Sequence, residues 1–412
     1  MNTPPHDLRK PDSENKPRAL FLAAEAPYPM VGGGPIRATS VLEYLARRFS
    51  VHGILFREPG APDPAASIPA ARLERADVIH LPVHSKGSLA RVLRNASRLV
   101  RNRPPLIDRF SGFEAQIESL LGGQHYDVAF IEHFWCAPYI EQVRVVAKRV
   151  ILDVYNVESA WHRSMAASES GALAWAHRRF AQASFESERR WLPRFDCVLT
   201  TSRNDATLLQ TIAPDAKVAV YPNALPHTVP PPRSDRPEII FSGNLEYAPN
   251  IQAVRFFHRD VWPALQSRWP GLKWKILSRN PGAVRDLPAS DPQIEITGFV
   301  EDAVAVIAQS QVAVVPLFAG SGTRIKILEA WAAGTPVVST TLGAEGLECR
   351  DREHLVLADD ADRFTAAVSE MLALPVHRER IAAAGRRLYE ERYTWETAWK
   401  ALDAALGKSL DR

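Results

Sequence analysis

The sequence predicts an α/β protein made of two domains with a cleft between them. Short apolar runs alternate with segments of helical spacing along most of the 412 residues, which is typical of parallel strands joined by helices. A proline-rich stretch near residue 230 interrupts this alternation, and the length suits two or three domains. We therefore expect one α/β domain on each side of that stretch.

The first domain is predicted to span residues 18–225. A strand, a loop with three consecutive glycines at residues 32–34 and a helix over residues 37–49 begin it. Its predicted strands lie at residues 18–24, 51–56, 127–132, 150–154 and 197–201. Residues 226–237 follow as a linker, in which the fixed φ of several prolines stiffens the chain.

The second domain is predicted to span residues 238–394 and to repeat the alternation. Its predicted strands lie at residues 238–242, 273–277, 294–297, 312–316, 336–339 and 355–357. Its predicted helices lie at residues 250–268, 304–309, 325–333, 361–374 and 378–392. The last segment, residues 395–412, is expected to be a helix that packs back on the first domain.

Composition excludes several classes of protein. Apolar residues make up 46% of the chain, charged residues 24%, and the net charge is +3, which supports neither general disorder nor nucleic-acid binding. Three cysteines, Cys136, Cys197 and Cys349, without a CxxC spacing argue against disulfides and a structural zinc site. No apolar run is long enough to span a membrane, and residues 1–17 are expected to be a disordered tail rather than a signal peptide. These features predict a cytoplasmic protein.

The strongest chemical signal is PLFAGSGTRIKILEAWAAGTPVVSTT, residues 316–341. A strand ends in a glycine-containing loop, and a helix begins near Ile325. Free N–H groups and the positive dipole at such a helix start suit a phosphate, and Arg324 and Lys326 add positive charge. Glu329, one turn into the helix, can accept hydrogen bonds from a ribose. A helix cap followed by a surface ion pair is the alternative.

This segment resembles the donor-binding signature of the GT4 family of retaining glycosyltransferases. Other stretches resemble the same family, in the order that the family has them. They are DVYNVESAWHRSM, RFDCVLTTSRNDA, VYPNAL, FSGNLEYAPNIQAVRFFHRDVWPAL and ITGFVED. The resemblance implies a GT-B fold, with two Rossmann-like domains facing an interdomain cleft. It also implies a nucleoside diphosphate sugar as donor, and no metal ion or other cofactor.

The resemblance further implies the roles of single residues. Nucleobase, diphosphate and ribose contacts fall on Gly298, Phe299, Val300, Gly322, Thr323, Arg324, Lys326 and Glu329. Arg324 and Lys326 would stabilise the leaving diphosphate, and Gly33 would lie opposite the donor phosphates. The acceptor would be a sugar or a lipid-linked sugar, in the synthesis of a cell-surface polysaccharide or glycolipid. A nucleotide-sugar epimerase of the same fold and a non-catalytic nucleotide-sugar-binding protein are the alternatives.

Two positions depart from the family pattern. Many members carry two glutamates eight residues apart, and the first of these positions is Ser321 here, so that the loop backbone is left to contact the transferred sugar. Many members also carry a histidine before a segment like Asn-Val-Glu, and the matching residue here is Tyr155. A tyrosine can hydrogen-bond a sugar hydroxyl, but it does not shuttle protons at neutral pH.

Three further features have ordinary structural alternatives. His133 follows a predicted strand, so it is either part of an acceptor pocket or a packed surface histidine. The glycine loop at residues 32–34 is either an anion-binding turn or a tight turn before a helix. Asp360 and Asp362 match a DxD metal motif, but their place before a helix favours capping.

Residues 88–103, SLARVLRNASRLVRNR, are predicted to form an amphipathic helix. Six basic residues and no acidic residue lie between positions 86 and 103. One stripe holds the apolar residues Leu89, Val92, Leu93, Ala96, Leu99 and Val100, and another holds Arg91, Arg94, Arg98 and Arg101. Such a helix either lies on the anionic inner face of the cell membrane, or packs its apolar stripe on the domain and leaves its arginines solvated.

Overall fold

The computed structural model of the chain contains two α/β units, each built on one parallel sheet. It describes residues 16–85, 87–234, 236–278, 280–320 and 324–407. Residues 1–15 of the predicted tail therefore lie outside the described residues. So do the predicted site residues Ser321, Gly322 and Thr323.

Seven parallel strands form the sheet of the first unit. They are β1 (Arg18–Ala23), β2 (Ser50–Arg57), β3 (Arg75–His80), β4 (Val128–Glu132), β5 (Val150–Val154), β6 (Cys197–Thr200) and β7 (Val218–Val220). Their order in the sheet is β3-β2-β1-β4-β5-β6-β7, so the order reverses between β1 and β4. In β1, Phe21 pairs with Gly53 on one side and Phe130 on the other. The sequence analysis missed β3 and β7, because both are edge strands whose residues are partly exposed and form weak apolar runs.

Helices cover both faces of this sheet. They are α1 (Gly33–Arg48), α2 (Ser88–Val100), α3 (Pro105–Arg109), α4 (Glu114–Leu121), α5 (Ile140–Val143), α6 (Glu158–Ser168), α7 (Gly171–Trp191) and α8 (Arg203–Ile212). Because parallel strands are buried on both faces, β1 divides its side chains between two cores, with Leu20 and Leu22 in one and Phe21 in the other.

Six parallel strands form the sheet of the second unit, in the order β10-β9-β8-β11-β12-β13. They are β8 (Glu238–Ser242), β9 (Lys273–Leu277), β10 (Ile294–Thr297), β11 (Val312–Val315), β12 (Val337–Ser339) and β13 (Val356–Leu357). The helices are α9 (Ala248–Phe256), α10 (Trp262–Arg268), α11 (Asp286–Ser290), α12 (Ala303–Ile307), α13 (Ile325–Ala332), α14 (Ala361–Ala373) and α15 (Pro375–Arg392). The helix predicted over residues 250–268 is present as a continuous helical segment, in which a π-helical turn at Phe257–Val261 lies between α9 and α10.

The last helix, α16 (Trp395–Leu406), packs on the first unit rather than on the second. Its Trp399 and Leu402 lie in the same core as Phe21, and Trp399 donates a hydrogen bond from Nε1 to the Ser40 carbonyl at 3.1 Å. The chain thus passes between the units twice. The two connecting segments form a parallel β-bridge between Leu225 and Thr394. The exact domain boundaries stay a prediction.

Candidate active site

A cleft of about 440 Å³ lies between the two units. The segments that line it follow β8, β9, β10 and β11 in the second unit and β1 in the first unit. The cleft therefore lies at the carboxyl ends of both sheets, where open α/β sheets bind their ligands.

The glycine loop forms the wall on the side of the first unit. The helix predicted from residue 37 begins at Gly33, and Gly32 before it has φ 90°, which glycine adopts without strain. A Cβ atom built on Gly33 would lie 3.4 Å from Cγ1 of Ile325, the first residue of α13. The first turns of α1 and α13 thus meet at the cleft, where both helix dipoles favour an anion.

Lys326 lies in the first turn of α13 and lines the cleft. Its Nζ donates a hydrogen bond to Oδ1 of Asn250 at 2.7 Å and lies 4.5 Å from the centre of the Phe241 ring. Burial and, to a smaller extent, the nearby positive charge of Arg324 lower the pKa of Lys326 to about 7, although Glu329 opposes the shift. The site therefore favours an anionic ligand that would restore the charged ammonium.

Gly243, at the end of β8, allows this arrangement. A Cβ atom at this position would lie 2.9 Å from Nζ of Lys326 and 3.0 Å from Nδ2 of Asn250. Any side chain here would displace the lysine or its partner. Sequence analysis assigned no role to Gly243 or Asn250, although both belong to the quoted FSGNLEYAPN stretch, in which a glycine directly after a strand was the available signal.

Arg324 directly precedes α13 and also lines the cleft, with 7% of its surface exposed. Burial lowers its pKa, and the opposing effects of Tyr247, Glu345 and Asp205 are smaller. The guanidinium nevertheless stays charged, because the ordinary pKa of arginine lies far above neutral pH.

Glu329 lies one turn further along α13, at the edge of the same cleft. Ser242 donates a weak hydrogen bond to its Oε2 at 3.4 Å. Burial raises the pKa of Glu329, while Lys326 and Ser242 lower it. Gly298, Phe299 and Val300 line the same cleft after β10, with 54% of the Phe299 surface exposed. The structure thus brings together the described nucleobase, phosphate and ribose candidates, whose roles stay predictions.

His133 and Tyr155 lie at the carboxyl ends of β4 and β5, and their ring centres are 3.8 Å apart. Both are largely buried, with 6% and 9% of their surfaces exposed. Tyr155 donates a hydrogen bond to Oε2 of Glu132 at 2.6 Å. Burial and the neighbouring Asp153 raise the pKa of Glu132 well above its ordinary value.

Arg37 is a buried charge that sequence analysis did not single out. It forms a two-point ion pair with Asp153, at 2.5 Å from Nη2 and 2.7 Å from Nε. Its Nη1 donates to the Tyr221 carbonyl and to Oδ1 of Asn223, just before the linker. Arg37 therefore joins α1, β5 and the passage between the units.

Asp360 of the DxD pair has a structural role. Asp360 accepts a hydrogen bond from the backbone N–H of Arg363 at 2.8 Å and caps α14, as predicted. Among the described residues, no group of three or more His, Cys, Asp or Glu side chains is arranged to hold a metal ion.

The amphipathic helix α2 exposes its apolar residues. Leu89, Val92, Leu93 and Val100 each expose between 62% and 87% of their surface. The alternative that this stripe packs on the domain is therefore wrong. Arg98 is buried instead, and its Nε lies 2.8 Å from Oδ2 of Asp108, so the prediction that it faces either lipid headgroups or solvent is also wrong. No helix in the described ranges is long and apolar enough to cross a bilayer.

Comparison with known proteins shows which family the second unit matches. Residues 236–373 match the family model described as glycosyl transferases, group 1. A phosphatidyl-myo-inositol mannosyltransferase of Mycobacterium leprae is 39% identical over 106 residues, which cover 25% of this chain and 28% of that protein. This match assigns the second unit to the group 1 glycosyltransferases.

Similarity extends beyond the second unit at lower identity. An uncharacterised 44.6 kDa protein in the cps region of Klebsiella pneumoniae is 22% identical to this glycosyltransferase over 303 residues, covering 68% of this chain and 76% of that protein. Sucrose-phosphate synthase of Thermosynechococcus elongatus has a TM-score of 0.68 at 16% identity, covering 94% of this chain and 97% of its own. Anabaena HepE in complex with UDP has a TM-score of 0.66 at 12% identity, and the match covers 94% of this chain and 99% of that one. These likenesses show the GT-B fold of the glycosyltransferase.

Proposed function

We propose that this glycosyltransferase takes a sugar from a nucleoside diphosphate sugar and transfers it to an acceptor hydroxyl with retention of configuration. One observation carries the proposal: Arg324 and Lys326 lie together at the N-terminus of α13, in the cleft, and burial lowers the pKa of both. A diphosphate between the first turns of α1 and α13 would meet two cations and two helix dipoles.

The same groups suit the leaving group of the reaction. Negative charge grows on the β-phosphate as its bond to the sugar breaks, so cations aimed at it stabilise the transition state more than the ground state. Arg324 and Lys326 would supply that charge in place of a metal ion. The acceptor hydroxyl would attack from the face that the diphosphate leaves, and a phosphate oxygen would take its proton.

The relatives support a hexose donor. One relative is named a mannosyltransferase, and one structural neighbour has been solved in complex with UDP and glucose. We therefore expect thermal stabilisation by one member of a panel that includes UDP-glucose, GDP-mannose, UDP and GDP.

Product analysis with that donor then tests the reaction. A new α-glycoside supports retaining transfer, whereas an isomerised free sugar indicates the epimerase. Stabilisation without turnover indicates a binding protein, and no stabilisation by any nucleotide contradicts the donor site. Activity should survive EDTA, and a complete loss that magnesium or manganese restores would contradict the metal-free mechanism.

We further propose a lipid-linked acceptor, reached while α2 lies on an anionic membrane. Besides the exposed apolar side chains of α2, the start of α7, a helix that contacts α2, exposes 62% of Leu173 and 52% of Trp175. Apolar groups with arginines beside them match an acyl surface with anionic headgroups. The basic and apolar parts of the surface together supply the two signals that stable peripheral binding needs.

Sedimentation with vesicles of phosphatidylglycerol and phosphatidylcholine tests this surface. Leu89→Ser with Leu93→Ser, and separately Arg91→Gln with Arg101→Gln, should each release the protein from the vesicles, and the effect of the second pair should be largest at low salt, where screening is weakest. Arg98 stays unchanged, because it is buried against Asp108. Wild type that fails to sediment at low salt would contradict the membrane surface.

A further inference from the structure

The side chain of Asn250 contacts Lys326 through an amide whose two ends are both hydrogen-bonded. Asn250 is the third residue of α9, and 7% of its surface is exposed. Its Nδ2 donates to the Asn244 carbonyl at 2.8 Å, and its Oδ1 accepts from Nζ of Lys326 at 2.7 Å. Because a carbonyl can only accept, the bond to Asn244 fixes which end of the amide faces the lysine.

The amine of Lys326 is enclosed from the direction of β8 as well. The centre of the Phe241 ring, in β8, lies 4.5 Å from Nζ. A Cβ atom on Gly243, directly after β8, would lie 2.9 Å from the same nitrogen. Since Lys326 also lines the cleft, β8 and α9 together hold its amine at the edge of the space where a donor would lie.

The charges around this amine compensate it only in part. Among the described residues that line the cleft, the other charged ones are Glu301, Arg324 and Glu329. Burial, which has the largest effect, and Arg324 lower the pKa of Lys326, and Glu329 opposes them without outweighing them. Asn250 adds a hydrogen-bond acceptor to this set, but no negative charge.

We propose that Asn250 is a positioning residue of the donor site, whose neutral amide directs the Lys326 amine toward the diphosphate and leaves the diphosphate as the partner of its positive charge. The proposal rests on the proposed function. An aspartate has the same shape and would also hold the amine, but it would compensate the charge as Asp153 compensates that of Arg37. With an asparagine here, binding of the donor and protonation of Lys326 depend on each other.

The test compares Asn250→Asp with Asn250→Ala. Aspartate should raise the pKa of Lys326 toward its ordinary value of 10.5, whereas alanine should leave it low, because burial and Arg324 are unchanged. Titration of the lysine Cε signals by NMR measures this pKa without any donor, and the signal that is missing from Lys326→Met belongs to Lys326. Gln210→Glu is the control, because it adds the same charge at an exposed position of α8 in the first unit.

Calorimetry with UDP-glucose and GDP-mannose, in two buffers of different ionisation enthalpy, then measures affinity and proton uptake at pH 8. Wild type should take up about one proton, since an amine with a pKa of about 7 is mostly neutral at this pH. Asn250→Ala should weaken binding about tenfold and keep the uptake, because it removes the hydrogen bond that directs the amine. Asn250→Asp should lose the uptake, and it should also bind more weakly because its carboxylate repels the phosphates.

Each outcome decides the proposal. A raised pKa and lost uptake in Asn250→Asp, together with weaker binding and retained uptake in Asn250→Ala, support it. An unchanged pKa of Lys326 in Asn250→Asp overturns it, and so does wild-type affinity in Asn250→Ala. Equal losses of affinity in both variants with equal proton uptake also overturn it, since a structural defect gives that pattern. A wild type that binds neither nucleotide sugar contradicts the proposed donor, whereas the NMR titration tests Asn250 independently of it.

Discussion

Two buried arginines, one in each unit, have opposite electrostatic surroundings. Arg37 and Arg324 expose only 2% and 7% of their surfaces. Burial lowers the pKa of Arg37, but the ion pair with Asp153 outweighs it and raises the pKa above its ordinary value. Burial also lowers the pKa of Arg324, and there its neighbours do not outweigh it. The neighbours of the arginine therefore offset the effect of burial on its pKa in the first unit, and they offset it only in part in the second unit.

The difference separates a structural charge from a ligand-binding one. A buried charge that its own fold compensates stabilises the geometry around it and has little left for a ligand. A buried charge that the fold compensates poorly becomes favourable when an anion binds. On this reasoning we expect the first unit to hold its shape through Arg37, and we propose that the second unit binds the donor through Arg324 and Lys326.

The largest expected effect is on stability, and it comes from Arg37→Met. Removing one partner of a buried ion pair leaves the Asp153 charge uncompensated and should cost about 3–5 kcal/mol of the free energy of unfolding. Arg324→Met is the matched control and should leave thermal unfolding nearly unchanged. The double variant Arg37→Met with Asp153→Asn should recover part of the loss. Equal melting temperatures for Arg37→Met and wild type would contradict the structural role of Arg37.

The next effect is on donor affinity. Arg324→Met and Lys326→Met should each weaken binding of the nucleotide sugar by about 1.5–3 kcal/mol, roughly tenfold to more than a hundredfold, because each removes a charged hydrogen bond to phosphate. Calorimetry measures the affinity, and circular dichroism checks the fold. If both variants bind as tightly as wild type, the diphosphate is not bound at the N-terminus of α13.

Donor binding should also depend on pH through Lys326. Since its pKa is about 7, the amine is mostly neutral at pH 8, and a diphosphate that favours the ammonium should cause proton uptake there. Affinity for the nucleotide sugar should therefore rise as the pH falls from 9 to 6. Calorimetry in two buffers of different ionisation enthalpy measures the uptake, and Lys326→Met should abolish it.

The same group predicts a trend in stability without ligand. Between about pH 7 and its ordinary pKa near 10.5, Lys326 binds a proton more readily in the unfolded chain than in the folded one. Its contribution therefore makes stability rise with pH across that window and stay flat below it. A stability difference between wild type and Lys326→Met that does not change over this window would contradict the lowered pKa.

The smallest effect is expected from Glu329→Gln. A neutral amide accepts ribose hydrogen bonds less strongly than a carboxylate, so affinity should fall severalfold. A dideoxyribose analogue of the nucleotide is the control and should bind wild type and variant alike. A defect of full size with that analogue would show that Glu329 acts on another part of the ligand.

The local pattern of apolar residues in the sequence predicts much of the secondary structure of the second unit. Its strands are buried apolar runs separated by helical spacing, and the predicted strands at residues 238–242, 273–277 and 294–297 coincide with β8, β9 and β10. The phosphate candidates Arg324 and Lys326 were visible because charge, glycine and a helix start are neighbours in the chain. The edge strands β3 and β7 could not be predicted in this way, because partly exposed strands lack a continuous run of apolar residues.

The sequence by itself therefore determined the α/β class, the order of most elements and the charged start of α13, because these depend on residues close together in the chain. Only the tertiary structure decided which distant residues meet. Lys326 contacts Asn250, His133 contacts Glu25, and Arg98 turns inward to Asp108 while the apolar residues of α2 face out. The physical reason is that helical and strand periodicity assign a residue to a face, whereas the packing of elements distant in sequence decides what that face contacts.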